Sequence, residues 1–271
     1  MLRITKKSSN ISELRFRARD KSGFGEFWNP MDHGTIAEER KMRELLSDKS
    51  VIFFDVGYTI DYPASGDWVF TNRFYESAAD KIKRCPAEQI RKAKAAGLVY
   101  LANNHLIRDE EEETDRFFHY YSIISEALQL KLTEDEIMEI ARDRTYNMDN
   151  YVIYPDARKV IQTLSKTHRL GIISDTWPSI ENQLRTLDVL QFFSFATYSF
   201  SLGVFKPDRQ MYVDALQKCG RSAKETVFID DSPQNLEGAA ELGITPILIA
   251  ANPASDVETP YRKIRSLSEL I

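Results

Sequence analysis

The sequence predicts an α/β protein with a doubly wound parallel sheet and a smaller all-helical unit. From Tyr154 onward, helix-like and strand-like patterns alternate, which is typical of a parallel sheet covered by helices on both faces. The runs expected to form strands are short and continuously apolar, as in strands buried on both faces. Over residues 68–148 the apolar spacing is helical instead, and the stripe from Phe117 to Leu128 is its clearest part.

The first predicted strand is the apolar run Val51–Phe54, which leads Asp55 into a turn that contains Gly57. Open α/β sheets bind ligands at the carboxyl ends of their strands, where Asp55 is expected. An isolated Asp before a glycine also caps helices or forms an Asx-turn. Asp55 is therefore a candidate site residue only if polar groups follow the later strands as well.

Polar groups do follow the later strands. The apolar runs at 170–173 and 227–229 are both followed by side chains whose oxygen atoms can bind a ligand or a metal ion. A lysine also stands directly before Pro207, a residue that can begin a helix. In chain order these groups are Ser174 and Asp175, then Lys206, then Asp230 and Asp231, with Asn235 after them.

This order and spacing resembles the haloacid dehalogenase superfamily, whose members are mostly Mg²⁺-dependent phosphohydrolases. The resemblance covers roughly residues 50–250. It implies a catalytic pair, with Asp55 as the nucleophile and Lys206 as the cation that also binds the phosphoryl group. The other implied roles are substrate binding by Ser174 and Asp175, metal binding by Asp55, the Gly57 carbonyl and Asp231, and support of the metal site by Asp230 and Asn235. The implied cofactor is Mg²⁺, and the implied partner is a small phosphate ester.

Gly57 departs from the family pattern. Phosphatases of the family carry a second Asp at this position, which protonates the leaving oxygen and later activates water. General acid–base help of this kind is worth about 10² to 10⁴ in rate. Tyr58 and Asp61 are the nearest alternatives in the sequence, but we expect Tyr58 to face away from the site and Asp61 to cap the segment that leaves the core.

Three functions are compatible with these residues. The resemblance favours Mg²⁺-dependent hydrolysis of a small phosphorylated metabolite through an aspartyl-phosphate, slow or restricted to activated esters because of Gly57. The second function is hydrolysis at carbon, as in the haloacid dehalogenases, which also lack the second Asp. Those enzymes work without a metal and replace its carboxylates by smaller polar groups, so the Asp230–Asp231 pair argues against this function. The third is a binding protein that retains the pocket without turnover.

The predicted organisation has three parts. Residues 50–64 and 149–271 form the α/β core, and residues 65–148 form a helical insert, which in the family is a mobile cap over the site. Residues 1–49 are an N-terminal extension whose first part is basic. We expect that part to be an extra element or a disordered arm, or to precede a natural translation start at Met42, which opens a helix-like segment.

Composition excludes several classes of protein. The chain has 271 residues, 36 Lys and Arg against 41 Asp and Glu, and a formal net charge of −5, which gives no electrostatic footprint for nucleic acid. No apolar stretch approaches the roughly 18 residues needed to cross a membrane. The two cysteines, Cys85 and Cys219, match neither a disulfide framework nor a zinc site. We expect a cytoplasmic protein, and the sequence leaves its oligomeric state open.

Three local features of the insert have structural interpretations. The segment Thr133–Glu136 has the form of a capping box. The acidic run at 109–113 is expected to be a solvated loop or the first turn of a helix, where negative charge opposes the positive end of the helix dipole. His105 and His119 lack a partner at metal-ligand spacing, so we expect structural or surface roles for both.

Overall fold

The structure is a computed structural model that describes residues 36–271, with side chains from Arg40 onward. Its strands are β1 Val51–Phe54, β2 Asp61–Pro63, β3 Tyr151–Ile153, β4 Arg169–Ser174, β5 Phe193–Tyr198, β6 Thr226–Asp230, β7 Thr245–Ile249 and β8 Arg262–Ile264. The helices are α1 Ile36–Ser47, α2 Asn72–Ile82, α3 Ala87–Asn103, α4 Glu110–Ala127, α5 Glu134–Tyr146, α6 Ala157–Leu164, α7 Ile180–Thr186, α8 Ser199–Leu202, α9 Arg209–Cys219 and α10 Pro233–Ala240.

Six of the strands form one parallel sheet in the order β5-β4-β1-β6-β7-β8. The chain extends the sheet from β1 to one side through β4 and β5, and then to the other side through β6, β7 and β8. The predicted doubly wound fold is therefore confirmed, and its topological switch point lies at β1. The edge strand β8 has no counterpart in the sequence prediction, because three residues with two charges carry no strand pattern.

The insert helices α2, α3, α4 and α5 surround a hydrophobic cluster of their own. The predicted stripe from Phe117 to Leu128 lies in this cluster and not in the two clusters that flank the sheet. Aromatic packing is dense there: the ring centroids of Phe70 and Phe74 are 4.1 Å apart, and those of Phe74 and Tyr121 are 5.6 Å apart. The insert can thus bury its apolar stripes without the sheet, as a separate helical unit requires.

A short antiparallel pair, β2 with β3, lies where the chain leaves the core and where it returns. In its register Asp61 lies opposite Ile153, and Pro63 lies opposite Tyr151. This pair was not predicted from the sequence, because strands of three residues are too short to show a period. It fixes the two crossing segments to each other at the base of the insert.

Helix α1 packs onto the sheet rather than standing apart from it. Met42 and Leu46 are buried in the same cluster as Leu267 and Leu270, which belong to a 3₁₀ helix near the chain end. The helix-like segment predicted at Met42 is therefore part of α1. Residues 1–35, the basic part of the predicted N-terminal extension, lie outside the described residues.

Capping side chains set the starts of α5 and α9, whereas α10 begins at Pro233. Thr133 and Glu136 form the predicted capping box at the start of α5. Pro207, which can begin a helix, stands two residues before α9. For α9 the reason is visible, because the Asp208 side chain accepts a hydrogen bond from the backbone N–H of Gln210 and so sets the first turn.

Within residues 36–271, no helix combines the length and apolar character that membrane crossing requires.

Gly171 in β4 tests the packing of the sheet. A Cβ added there would lie 2.1 Å from Cε2 and 2.5 Å from Cδ2 of Phe195, and 2.9 Å from Cδ1 of Phe53. We expect Gly171→Ala to lower the free energy of unfolding in urea by about 1–3 kcal/mol, the usual cost of overpacking. Phe195→Leu introduced with it should recover part of the loss. A Gly171→Ala variant as stable as the parent would contradict this account of the packing.

Candidate active site

The strand order brings the predicted site residues to one edge of the sheet. β1 lies between β4 and β6, and Phe54 is level with Ile172 on one side and Ile229 on the other. The backbone N–H of Asp55 continues the ladder by donating to the Ile229 carbonyl at 2.9 Å. Because all three strands are parallel, their carboxyl ends deliver Asp55, Ser174 and the Asp230–Asp231 pair to the same crevice.

Lys206 lies at the centre of the site and is buried. Its Nζ is 2.8 Å from Oδ1 of Asp55 and 2.8 Å from Oδ2 of Asp230, and it also donates to the Ile173 carbonyl at 3.2 Å. Burial opposes the charge of this ammonium, but Asp230, Asp55 and Asp175 together raise its pKa well above the ordinary lysine value. Lys206 is therefore a fixed cation beside the Asp55 carboxylate.

Ser174 and Asp175, which follow the apolar run at 170–173, occupy different environments. Ser174, the last residue of β4, is buried. Asp175 is exposed, and its Oδ1 accepts a hydrogen bond from the backbone N–H of Lys206 at 2.9 Å. Asp175 thus positions the loop that carries Lys206.

The two adjacent carboxylates after β6 differ in what they contact. Asp230 is fully buried, accepts from the Ser232 backbone N–H at 2.7 Å, and accepts from Nδ2 of Asn235 at 3.1 Å at both oxygens. Asp231 is less buried, and its Oδ2 accepts from Oγ of Ser255 at 2.8 Å. Asp230 is occupied with protein partners, whereas Asp231 faces the crevice more openly. Ser255 was missed by the sequence analysis, since it lies far along the chain in a loop after β7.

The donor set fits a hard divalent cation. One carboxylate oxygen each from Asp55, Asp230 and Asp231 lies within 4.8 Å of the other two. Burial raises the pKa of Asp55 to about 6 and that of Asp231 to about 8, and repulsion among these carboxylates adds to both shifts. One ammonium does not neutralise the cluster, so additional positive charge is favoured there. All-oxygen ligands are the type that Mg²⁺ prefers.

The space beside Gly57 is filled by an aromatic ring. A Cβ at this position would lie 3.0 Å from Cζ2, 3.3 Å from Cη2 and 3.6 Å from Cε2 of Trp68. Gly57 lies outside the left-handed backbone region, so conformation alone does not require glycine here. A side chain at position 57 would therefore need the indole to move by a few tenths of an ångström, a contact that no short sequence motif indicates.

The two sequence alternatives for the missing acid, Tyr58 and Asp61, occupy different environments. Tyr58 adopts a φ of 56°, which turns its ring onto Trp68 at a centroid distance of 5.2 Å. Burial, with the charges of Asp67 and Asp231, raises the pKa of Tyr58 to about 12. Asp61 caps no helix: it is a buried residue of β2 whose Oδ2 accepts from Nε2 of Gln183, and burial raises its pKa to about 8.

A buried polar network joins the insert to the core. Glu113 was expected in a solvated run or a first helical turn; it does lie in the first turn of α4, but fully buried. Its carboxylate accepts from the backbone N–H and the hydroxyl of Ser179, both at 2.8 Å, and lies 3.6 Å from Nη1 of Arg144. Arg144 in turn donates from Nε to the Trp68 carbonyl at 3.0 Å and from Nη1 to the Tyr151 hydroxyl. The network therefore fixes the segment that carries the indole.

The two histidines of the insert agree with structural and surface roles. His105 is buried, its Nε2 is 2.7 Å from Oγ of Ser199, and its ring stacks on Phe205 at 4.2 Å. Burial lowers its pKa to about 4, so it is neutral at physiological pH. His119 is half exposed, with Nε2 3.6 Å from a carboxylate oxygen of Asp115.

The sequence also matches a known protein family. The model of the haloacid dehalogenase-like hydrolase family matches residues 49–243, a span that contains β1, the insert and the ends of β4 and β6. The chain therefore belongs to the haloacid dehalogenase-like hydrolases.

Solved structures with the same fold include different hydrolases. A HAD phosphatase from Thermococcus onnurineus is 21% identical, with a TM-score of 0.57 over 82% of this chain and 95% of that chain. A 2-haloacid dehalogenase from Pseudomonas syringae pv. tomato DC3000 is 23% identical, with a TM-score of 0.55 over 82% and 96%. YfnB of Bacillus subtilis, bound to magnesium, is 18% identical, with a TM-score of 0.55 over 82% and 96%. These neighbours share the fold and leave open which bond this chain hydrolyses.

Proposed function

We propose that this protein is a Mg²⁺-dependent phosphohydrolase that acts on a small phosphorylated metabolite through an aspartyl-phosphate. The observation that carries the proposal is the convergence of the Asp55, Asp230 and Asp231 oxygens within 4.8 Å, with the Lys206 ammonium 2.8 Å from two of these side chains. Phosphoryl transfer depends on positioning and on charge stabilisation, and this site concentrates both beside one carboxylate.

Each side chain has a separate task in this mechanism. Asp55 attacks phosphorus, Lys206 stabilises negative charge on the transferring group, and Ser174 donates a hydrogen bond to it. Asp55, the Gly57 carbonyl and Asp231 would hold Mg²⁺, which when bound supplies positive charge that offsets the repulsion between carboxylate and phosphate. Asp230 and Asn235 orient this set through the contacts described above.

The absence of a carboxylate at position 57 shapes the expected kinetics. No proton donor stands beside the leaving oxygen at this position, so esters with acidic leaving groups should react best. Position 57 also has no carboxylate that could activate the water that attacks the aspartyl-phosphate. We therefore expect the second step to be slow and the intermediate to accumulate.

We also propose that residues 65–148 act as a cap that contributes to substrate selection. The insert has its own hydrophobic cluster, and its entry and exit segments pair in β2 and β3. Trp68, the insert residue nearest to Gly57, already contributes to the wall of the site.

Metal dependence across a substrate panel tests the function. The panel is phenyl phosphate, an alkyl phosphate and 2-chloropropionate, each with Mg²⁺ and with a chelator. We expect Mg²⁺-dependent release of phenol, less release of alkyl alcohol and no chloride release. Chloride release without metal would favour hydrolysis at carbon, and no turnover of any substrate would favour a binding protein.

The ranking of the two adjacent carboxylates has its own test. We expect Asp231→Asn to weaken Mg²⁺ binding at least about 100-fold, and Asp230→Asn to weaken it about 10-fold, as for residues that orient ligands. Asp230→Asn should also lower the free energy of unfolding, because the buried Lys206 charge loses a partner. Calorimetric titration with Mg²⁺ measures both variants. Equal losses of affinity would show that the ranking is wrong.

A further inference from the structure

The wall of the site on the Gly57 side is aromatic. Gly57 follows Asp55 by two residues, in the turn where the Val56 carbonyl accepts from the backbone N–H groups of Thr59 and Ile60. The six-membered ring of Trp68 lies beside Gly57, with Cζ2 3.0 Å from the position that a Cβ would occupy. In the direction where family phosphatases present a proton donor, this chain presents ring carbon atoms.

The segment that carries Trp68 is held by hydrogen bonds on both sides of the indole. Oδ1 of Asp67 accepts from the backbone N–H groups of Val69 at 3.0 Å and of Phe70 at 3.1 Å. The Trp68 carbonyl accepts from Nε of Arg144 at 3.0 Å. These bonds fix the backbone on both sides of the indole.

The indole has an aromatic neighbour on the same side of the site. The Tyr58 ring packs edge to face on Trp68 at 5.2 Å, and both side chains are partly exposed. Tyr58 directly follows Gly57 in the chain, so the two rings lie beside the segment that carries Asp55. The two rings form one aromatic surface beside the reacting carboxylate.

We propose that Trp68 is a specificity-determining residue and that the substrate is an aromatic phosphate ester whose ring packs against it. This inference rests on the proposed phosphohydrolase function. In the first step a bond forms between an Asp55 oxygen and phosphorus while the bond from phosphorus to the aryl oxygen breaks. The aryloxide leaves with the electron pair and takes its proton from water. Its conjugate acid has a pKa of about 10, like the tyrosine side chain, so no protein acid is needed. A water oxygen then bonds to phosphorus while the bond from phosphorus to the Asp55 oxygen breaks; inorganic phosphate leaves with the protons of the water, and the Asp55 carboxylate is restored.

The test compares two substrates with acidic leaving groups that differ in aromatic character. We measure kcat/KM with Mg²⁺ for phenyl phosphate and for acetyl phosphate in the parent chain, Trp68→Leu and Trp68→Phe. Trp68→Leu should lower the ratio of phenyl to acetyl activity about 10-fold, whereas Trp68→Phe should keep most of it. Tyr146→Leu removes an aromatic ring that is 51% exposed, and is the matched control that should leave the ratio unchanged. A ratio that Trp68→Leu does not change would overturn the proposal.

Binding of phosphonates separates this proposal from the proposed function, because phosphonates need no turnover. In calorimetry with Mg²⁺, phenylphosphonate should bind the parent chain about 10-fold more tightly than methylphosphonate, and Trp68→Leu should remove the difference. If this preference holds but no phosphate ester is hydrolysed, the function is wrong and the aromatic subsite stands. If esters are hydrolysed but neither the phosphonate preference nor the activity ratio depends on Trp68, the subsite is wrong and the function stands.

Discussion

Asp55→Asn is expected to lower the hydrolysis of phenyl phosphate by about 10⁴-fold or more, to the background of the assay. The amide has the size of the carboxyl group but is not a nucleophile toward phosphorus, and removal of a nucleophile alone eliminates most of the catalysis by an enzyme. The substitution also removes the ion pair with Lys206, whose Nζ lies 2.8 Å from Oδ1 of Asp55. Product release measured with Mg²⁺ at saturating substrate gives the result directly.

The control for this variant is Asp80→Asn, a substitution of an exposed carboxylate in α2, which should keep full activity. Thermal unfolding of both variants checks that the fold is retained. An Asp55→Asn protein that folds, and that retains more than a tenth of the parent activity, would remove Asp55 from the nucleophile role.

The second large effect is expected from the pair Gly57→Asp and Trp68→Ala. Gly57→Asp alone adds a Cβ 3.0 Å from the Trp68 ring, so the new carboxyl group has little room. With Trp68→Ala the space is open, and the new carboxyl group can donate a proton to the leaving oxygen. The kcat/KM for an alkyl phosphate, which reports the first step, should then rise about 10²-fold over the parent, whereas kcat/KM for phenyl phosphate should gain less.

Both single variants are needed as controls for the pair. Trp68→Ala alone should not raise alkyl phosphate hydrolysis, because it opens space without adding an acid. Gly57→Asp alone should raise it less than the pair does. A double variant that folds and binds Mg²⁺ but shows no selective gain on the alkyl ester would mean that the site lacks more than a proton donor.

The sequence predicted the parts of the molecule that depend on local patterns. The strand runs that end before Asp55, Ser174 and Asp230 were identified because strands buried on both faces are continuously apolar. The capping box at Thr133 was identified because it uses residues three positions apart. The position of these strand ends at one edge of the sheet was predicted because the carboxyl ends of parallel strands lie at the same edge.

Contacts between distant segments could not be predicted in this way. Ser255 reaches Asp231 from a loop after β7, and Trp68 reaches Gly57 across the turn that begins the insert. Glu113 was expected in a solvated loop or the first turn of a helix; it does lie in the first turn of α4, but its buried side chain accepts from Ser179. Such contacts depend on how segments pack, and no period or motif records that packing.

Rapid-quench mass spectrometry of the protein during its first turnover tests the central claim most directly. The chain is mixed with phenyl phosphate and Mg²⁺, quenched in acid and digested. We predict a burst of about one phenol per protein chain, together with one phosphoryl group on the peptide that contains Asp55; this adduct should be absent without Mg²⁺ and in Asp55→Asn. Steady hydrolysis of phenyl phosphate without a phosphoryl group on that peptide, or with no dependence on Mg²⁺, would contradict the account.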